Sequence, residues 1–382
     1  MKARAFIFAA ILIVTACGKS IENQIDEACR QCFPEGEPGA AVLILKGDRV
    51  LFDKGYGVRD LGTMEPIDGD TPFNIASISK QFTSVAVLQL ASDGLINLSD
   101  PVGKYFPEYT DPLWNKVEIR HLLSHSSGIG DLRGGIPREE KIFGDEDLAT
   151  AYLDTLSALR FAPGSAYEYI NPTFVLLGKL VERISGKPFT EYVQERIFTP
   201  AGMERTWYFD RKDTPGMAHG YEYEDVSDMP EERTAGPSDG PKNWYEYDFG
   251  EETFFATRPD GGIYTSTHEF VLWEKALRRT LEGKDGALPC LKPDLLLDAM
   301  SPHTLVSGSR WSDYQNRPGT WYGYGWFVEP EKKCIYHTGD NGGFKALAAR
   351  YPESGLLILI FANRADWDRE NLKVKLEKIL GQ

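Results

Sequence analysis

The two ends of this chain carry its strands, and the stretch between them carries its helices. Ala40–Leu45 and Val50–Tyr56 are β-type runs joined by the turn Lys46-Gly47-Asp48-Arg49, which reads as an antiparallel hairpin. Near the carboxyl end, Tyr322–Val328, Lys332–His337, Phe344–Tyr351 and Leu356–Phe361 also read as strands, the last two joined across Pro352-Glu353-Ser354-Gly355. Strands at both ends of a helical middle imply an α+β fold. One antiparallel sheet is assembled from both chain ends, helices pack on it, and a mainly helical lobe, roughly residues 95–260, is inserted. Asp368–Leu380 closes the chain as an amphipathic helix with Asp368 as its N-cap.

Within the middle, Thr71–Asp93 places Ser77 and Lys80 three residues apart at the mouth of an apolar-periodic segment carrying Ile78, Phe82, Val85 and Leu88. The spacing predicts a helix that starts at or just before Ser77 and stops at Gly94. Residues i and i+3 share a helix face, so the lysine amine can reach the serine hydroxyl. A serine at a helix start lies among free backbone N–H groups, which favour a developing oxyanion. That is an arrangement for acyl transfer, although a lone S-x-x-K occurs by chance and such a serine is more often a cap. Further helices are expected at Ile21–Cys29, Glu118–His125, Asp145–Leu159, Pro172–Ser185, Phe189–Phe198 and Thr267–Leu281. Residues 208–260, rich in Tyr, Asp, Glu, Pro and Gly, read as a solvated irregular excursion.

The amino end reads as a secretory signal: Lys2 and Arg4, the apolar run Ala5–Val14, then Val14-Thr15-Ala16-Cys17. A cysteine at the cleavage point resembles a bacterial lipoprotein box, with residues 1–16 removed, Cys17 lipidated and residues 17–36 a tether; the alternative is an ordinary signal with a chance cysteine. Gly18 after Cys17 then favours the outer membrane where a cell has one, so the expected location is the cell envelope, on its periplasmic face. Net charge is −15, and near −17 once Lys2 and Arg4 are gone, which argues against nucleic acid and leaves the acyl chain as the membrane tie. Cys29, Cys32, Cys290 and Cys334 remain, and an exported chain permits disulfides, with Cys29–Cys32 and Cys290–Cys334 the favoured pairing.

Three short motifs follow one another: Ser77-Ile78-Ser79-Lys80, then Tyr169-Ile170-Asn171 just after Phe161-Ala162-Pro163-Gly164, then His337-Thr338-Gly339 at the end of an expected strand. On these motifs the chain resembles the serine β-lactamase and penicillin-binding-protein superfamily, in the branch of class C β-lactamases, D-alanyl-D-alanine carboxypeptidases, D-aminopeptidases and related esterases. The class A set has S-x-x-K, S-D-N and K-T-G, and this branch has Tyr-x-Asn in second place. FNIASISKQFT, HLLSHSSGI, PAGMERT, GGIYTST and YGYGW add to the likeness, which covers roughly residues 37–365.

The resemblance implies a β-lactamase/transpeptidase-like fold and an acyl-enzyme on Ser77, with Lys80 taking the serine proton directly or through Tyr169. Tyr169 returns a proton to the leaving group, and Asn171 holds the substrate amide and braces Lys80. The backbone N–H groups of Ser77 and Asp340 form the oxyanion hole. Thr338 and Gly339 belong to the same substrate-binding strand. His337 stands where most β-lactamases carry Lys, so recognition of a substrate carboxylate is expected to depend on pH or to be dispensable. The expected activity is hydrolysis of an amide or ester of a small substrate, foremost a D-amino-acid peptide from cell-wall material. A small-ester esterase is the alternative, and a penicillin-binding sensor with little turnover is another. No cofactor or metal is implied, and the protein is expected to be a monomer. His121 and His125 read as scaffold despite metal-compatible spacing, and nothing in the spacing around His219, His268 and His303 suggests a site. Ser79 and Ser84 read as helix-surface hydroxyls or ones just behind the site, and Trp321, Tyr322, Tyr324 and Trp326 as strand packing. Tyr264 is placed either at the cleft or in the core.

Overall fold

The computed structural model describes residues 20–137, 140, 145–210, 214–223, 244–246, 257–306 and 317–382. Cys17, the expected lipidation site, and most of the acidic-aromatic stretch lie outside them. Helix α1 runs Ile21–Cys32, one turn longer than expected, and Ser20 caps it by accepting from the Asn23 amide. Strands β1 (Ala40–Lys46) and β2 (Arg49–Tyr56) form the amino-terminal hairpin. The carboxyl half supplies β3 (Thr304–Leu305), β4 (Trp321–Tyr322), β5 (Phe327–Glu329), β6 (Cys334–Asn341), β7 (Phe344–Tyr351) and β8 (Leu356–Ala362). They join in one antiparallel sheet of order β3-β4-β5-β6-β7-β8-β1-β2, so the expected meeting of the two chain ends occurs between β1 and β8. Ala40 pairs with Ala362 and Lys46 with Leu356.

Alternation within these strands explains why they read as unbroken apolar runs. Ala41, Leu43 and Leu45 of β1, with Leu357, Leu359 and Phe361 of β8, face the large core under the helices. Ala40, Val42 and Ile44, with Leu356, Ile358 and Ile360, face a second core under α1 and the closing helix Arg369–Leu380 (α5). Both faces are covered, so both sets of alternate side chains must be apolar. Asp368 caps α5 as the sequence implied, accepting from the Asn371 amide.

The central helix is α2, Lys80–Ser92, buried on every side between the sheet and the lobe. Its polar residues are therefore bonded inward: Gln81 accepts from Trp273 at 3.1 Å, and Gln89 donates to the carbonyls of Arg196 and Pro289. Helices α3 (Asn171–Ser185) and α4 (Thr267–Glu282) pack beside it. Among the described residues no helix is long and apolar enough to cross a membrane.

Several expectations shift. The expected strand Tyr322–Val328 breaks into β4 and β5, because the chain reverses where the Gly323 amide meets the Trp326 carbonyl and Gly325 takes φ +90°. The expected helix Asp145–Leu159 is an α-helical turn, Glu146–Thr150, followed by a 3₁₀ stretch to Thr155. All four described cysteines are free thiols: Cys29 and Cys334 are buried and Cys290 is exposed, so the favoured disulfides do not form.

Candidate active site

Ser77 does not begin an α-helix. It lies on a 3₁₀ turn, Ala76–Ser79, that leads into α2. The residue before it, Ala76, takes φ +46°, a left-handed conformation that costs a non-glycine residue of order 1 kcal/mol. Asn74 pins the turn by accepting from the Ala76 amide at 2.7 Å. Ser79 is buried rather than on a helix surface and accepts from the Ile263 amide at 3.1 Å, tying the turn to the strand Ile263–Thr265. Ser84 is buried too. On the other side, a Cβ on Gly339 would lie 2.2 Å from the Ile75 carbonyl oxygen, so only glycine lets β6 run against the serine turn.

Lys80 is 0% exposed. Its Nζ donates to Ser77 Oγ at 3.0 Å and to the Asp260 backbone carbonyl at 2.7 Å. The Tyr169 ring centroid is 4.9 Å from the amine and that of Phe174 5.6 Å. Burial, helped by the Arg133 charge and opposed by Asp260, brings the amine down to about 7. Near neutral pH this lysine is divided between its free-base and ammonium forms, as a general base requires.

The hydroxyl of Ser77 opens into a pocket of about 270 Å³. Tyr169, Asn171, His337, Thr338 and Asp340 line it with Ser77, while Lys80 lies behind the wall. The three motifs, 262 residues apart from Ser77 to Gly339, thus converge on one cavity. Asn171 opens α3 and has a buried Oδ1 with no hydrogen-bond partner among the described residues.

His337 is buried, with both ring nitrogens engaged. Nδ1 lies 2.7 Å from the Thr338 carbonyl, which can only accept, so Nδ1 carries a proton. Nε2 lies 2.9 Å from the Tyr322 hydroxyl. Burial, then the charge of Lys80, pushes the imidazole well below its ordinary range, so the ring is neutral and Nε2 accepts from the phenol. Of the two expectations for this position, a neutral ring goes against pH-dependent recognition of a carboxylate and leaves His337 dispensable for it.

A cation that the sequence reading missed lines the pocket instead. The Arg317 guanidinium stacks 4.3 Å over the Phe327 ring and donates to Tyr336 and Thr338 hydroxyls at 3.1 and 3.3 Å. Arg369 was missed as well. From the first turn of α5 it donates to the Gly339 and Ala346 carbonyls and to Asp340 Oδ2 at 2.9 Å, bracing β6 at the third motif. His125, taken as scaffold, accepts from the Ile170 amide at 3.2 Å and lies 4.2 Å from the Tyr169 ring, so it holds the second motif.

Other residues stay outside the pocket. Tyr264 is buried in the core against Trp207. Tyr322 packs as expected, but its hydroxyl also bonds His337 Nε2. His268 bridges Asp53 and Asp70, and His219 meets Glu246, acids distant in sequence.

The family model described as Beta-lactamase matches residues 27–380. Penicillin-binding protein 4* of Bacillus subtilis (strain 168) is 25% identical over 351 residues, covering 89% of this chain and 72% of that protein. Protein flp of Staphylococcus aureus (strain MW2) is 24% identical over 348 residues, and the match spans 90% of this chain but only 63% of flp. Among solved structures, the octameric penicillin-binding protein homologue from Pyrococcus abyssi superposes with a TM-score of 0.73 at 24% identity, covering 95% of this chain and 77% of that one. D-amino acid amidase from Ochrobactrum anthropi SV3, complexed with D-phenylalanine, gives 0.72 at 22% identity, covering 94% and 97%. At these identities the structures establish the fold. An octamer among them leaves the expected monomer without support.

Proposed function

The chain belongs to the Beta-lactamase family, and from that premise we propose that it is an exported, lipid-anchored serine hydrolase that forms an acyl-enzyme on Ser77. Its substrate is an amide or ester of a small molecule, foremost a D-amino-acid peptide or amide. The observation that carries this reading is the buried Lys80 amine, 3.0 Å from Ser77 Oγ and poised at about 7.

The steps follow from that contact. Lys80 takes the Ser77 proton as Oγ bonds to the substrate carbonyl carbon. The resulting oxyanion lies against the backbone N–H groups of Ser77 and Asp340. The proton passes by way of Tyr169 to the leaving nitrogen or oxygen, the carbon–leaving-group bond breaks, and the acyl ester remains on Ser77. Water releases it, with Lys80 and Tyr169 handling the proton in the reverse sense. Asn171, whose buried Oδ1 has no hydrogen-bond partner among the described residues, receives the substrate amide N–H. The likeness to D-amino acid amidase favours the amide reading.

Arg317 takes over the role first given to His337. A guanidinium beside Thr338 pairs with a substrate carboxylate at any physiological pH, whereas a neutral His337 does not. The test is hydrolysis of D-phenylalanine amide, a D-alanyl-D-alanine peptide and p-nitrophenyl acetate by the full chain and by Ser77→Ala. Turnover that falls about 1000-fold or more in the variant is expected. Equal turnover by Ser77→Ala would overturn the reading.

A further inference from the structure

One buried acid has no part in the steps above. Asp260, on the short helix Arg258–Gly261, is 6% exposed, and its carboxylate Oδ1 has no hydrogen-bond partner among the described residues. It does not line the substrate pocket. Its surroundings hold it in place. The Asp260 backbone carbonyl accepts from Lys80 Nζ, and the Pro259 carbonyl accepts from Thr83 Oγ1 at 2.6 Å, which fastens the turn to α2 at two points. Behind it α3 passes so closely that a Cβ on Gly178 would lie 2.3 Å from Pro259.

Both fastenings to α2 use backbone carbonyls, and the carboxylate's own side-chain hydrogen bond is to Thr257 inside the turn; asparagine would keep all three contacts. Anchoring the turn therefore does not require a carboxylate, and burying one costs several kcal/mol unless it balances a charge. Two charges are at hand. Lys80 and Arg133 both act on Asp260, and Asp260 and Arg133 both act on Lys80. Arg133 in turn grips Asp131, on the pocket wall, with two nitrogens.

We propose that the Asp260 carboxylate is the counter-ion that sets the charge of Lys80, a positioning residue that acts on Ser77 through the lysine. The proposal rests on the reading of Lys80 as the base. The groups facing Lys80 are the Asp260 carboxyl, which burial pushes up and the Lys80 and Arg133 charges pull down, the Arg133 cation, the Tyr169 phenol and the neutral rings of His125 and His337. Facing Asp260 are Lys80, Arg133 and Glu146. The Asp260 charge holds the amine up against burial and Arg133. Without it the lysine would be a weaker base that cannot keep the serine proton until the leaving group needs it.

The test is titration of the full chain labelled with ε-¹³C lysine, with the Lys80 signal assigned by its loss in Lys80→Arg, and it needs no substrate. Asp260→Asn should move the Lys80 midpoint down by about one pH unit or more, and Asp260→Ser, a second route should the amide not fit, should do the same. Arg133→Gln should move it up. An unmoved midpoint in a folded Asp260 variant, or movement of all variants in one direction, overturns the proposal. Alongside, the acid limb of kcat/KM for p-nitrophenyl acetate should move with the midpoint. If the midpoint moves and the limb does not, Asp260 governs the lysine but Lys80 is not the base, and it is the catalytic reading that fails.

Discussion

Two lysines are buried among the described residues, Lys80 and Lys373, and they titrate in opposite directions. Lys373, on α5 in the outer core, donates to Glu377 at 2.6 Å and lies 3.7 Å from Glu329. Burial pulls its pKa down, but the Cys334 sulfur and the two carboxylates outweigh it, so the net shift is upward. Lys80 is bonded to neutral oxygens, the Ser77 hydroxyl and a backbone carbonyl, and burial wins. The same side chain is thus a fixed cation in one core and a proton acceptor in the other. Burial lowers both, more at Lys80, and it is Lys373 that has a hydrogen-bonded carboxylate to outweigh it.

The largest effect should come from exchanging each lysine for a hydrophobe of similar length. Lys80→Met is expected to lose about 1000-fold or more in kcat/KM with little change in stability, since the lysine makes no direct hydrogen bond to a carboxylate and Arg133 remains to balance Asp260. Lys373→Met should do the reverse. It leaves Glu377 and Glu329 buried without their cation, at about 3–5 kcal/mol of stability, with turnover per folded molecule within about twofold. Urea midpoints and single-turnover rates on both variants check this. Equal damage to turnover would erase the distinction.

A smaller effect concerns stability against pH. Lys80 binds fewer protons folded, at about 7, than unfolded, at about 10.4, so its contribution makes stability rise with pH inside that window. Lys373 has a raised folded pKa. Its contribution is fully present below the unfolded value and is lost only as pH climbs through the folded one, so it is flat from pH 7 to 9. Between those pH values Lys80→Met should remove a slope worth up to about 2 kcal/mol, and Lys373→Met should leave that slope in place.

The smallest effect separates the fixed cation of the pocket from its neutral neighbour. Arg317→Ala should raise KM about tenfold for a carboxylate-bearing substrate and leave kcat near its starting value. In the native protein that KM should be flat from pH 5.5 to 8.5, because His337 does not titrate there. A KM that rises across the range would return the role to His337.

The sheet was legible because β1 and β8 are apolar on both faces, and the motif residues because chemistry ties Ser77, Lys80, Tyr169 and Asn171 to fixed spacings. What sets their behaviour was not legible. The base strength of Lys80 depends on Asp260, 180 residues away and read as part of an acidic surface excursion. The neutrality of His337 depends on its burial and on the charge of Lys80, which is remote from it in sequence. Local spacing cannot report desolvation, since burial is fixed by contacts between elements remote in sequence. The left-handed Ala76 gave no signal either, because alanine is an unusual choice there and tertiary contacts impose it.

The most direct test of the central claim is intact-mass spectrometry of the full chain after timed incubation with benzylpenicillin and, separately, with p-nitrophenyl acetate, followed by peptide mapping. A single acyl increment on the peptide carrying Ser77, absent in Ser77→Ala and slowed in Lys80→Met, is the predicted result. An increment that persists in Ser77→Ala, or hydrolysis of either compound with no acyl group ever reaching Ser77, would contradict it.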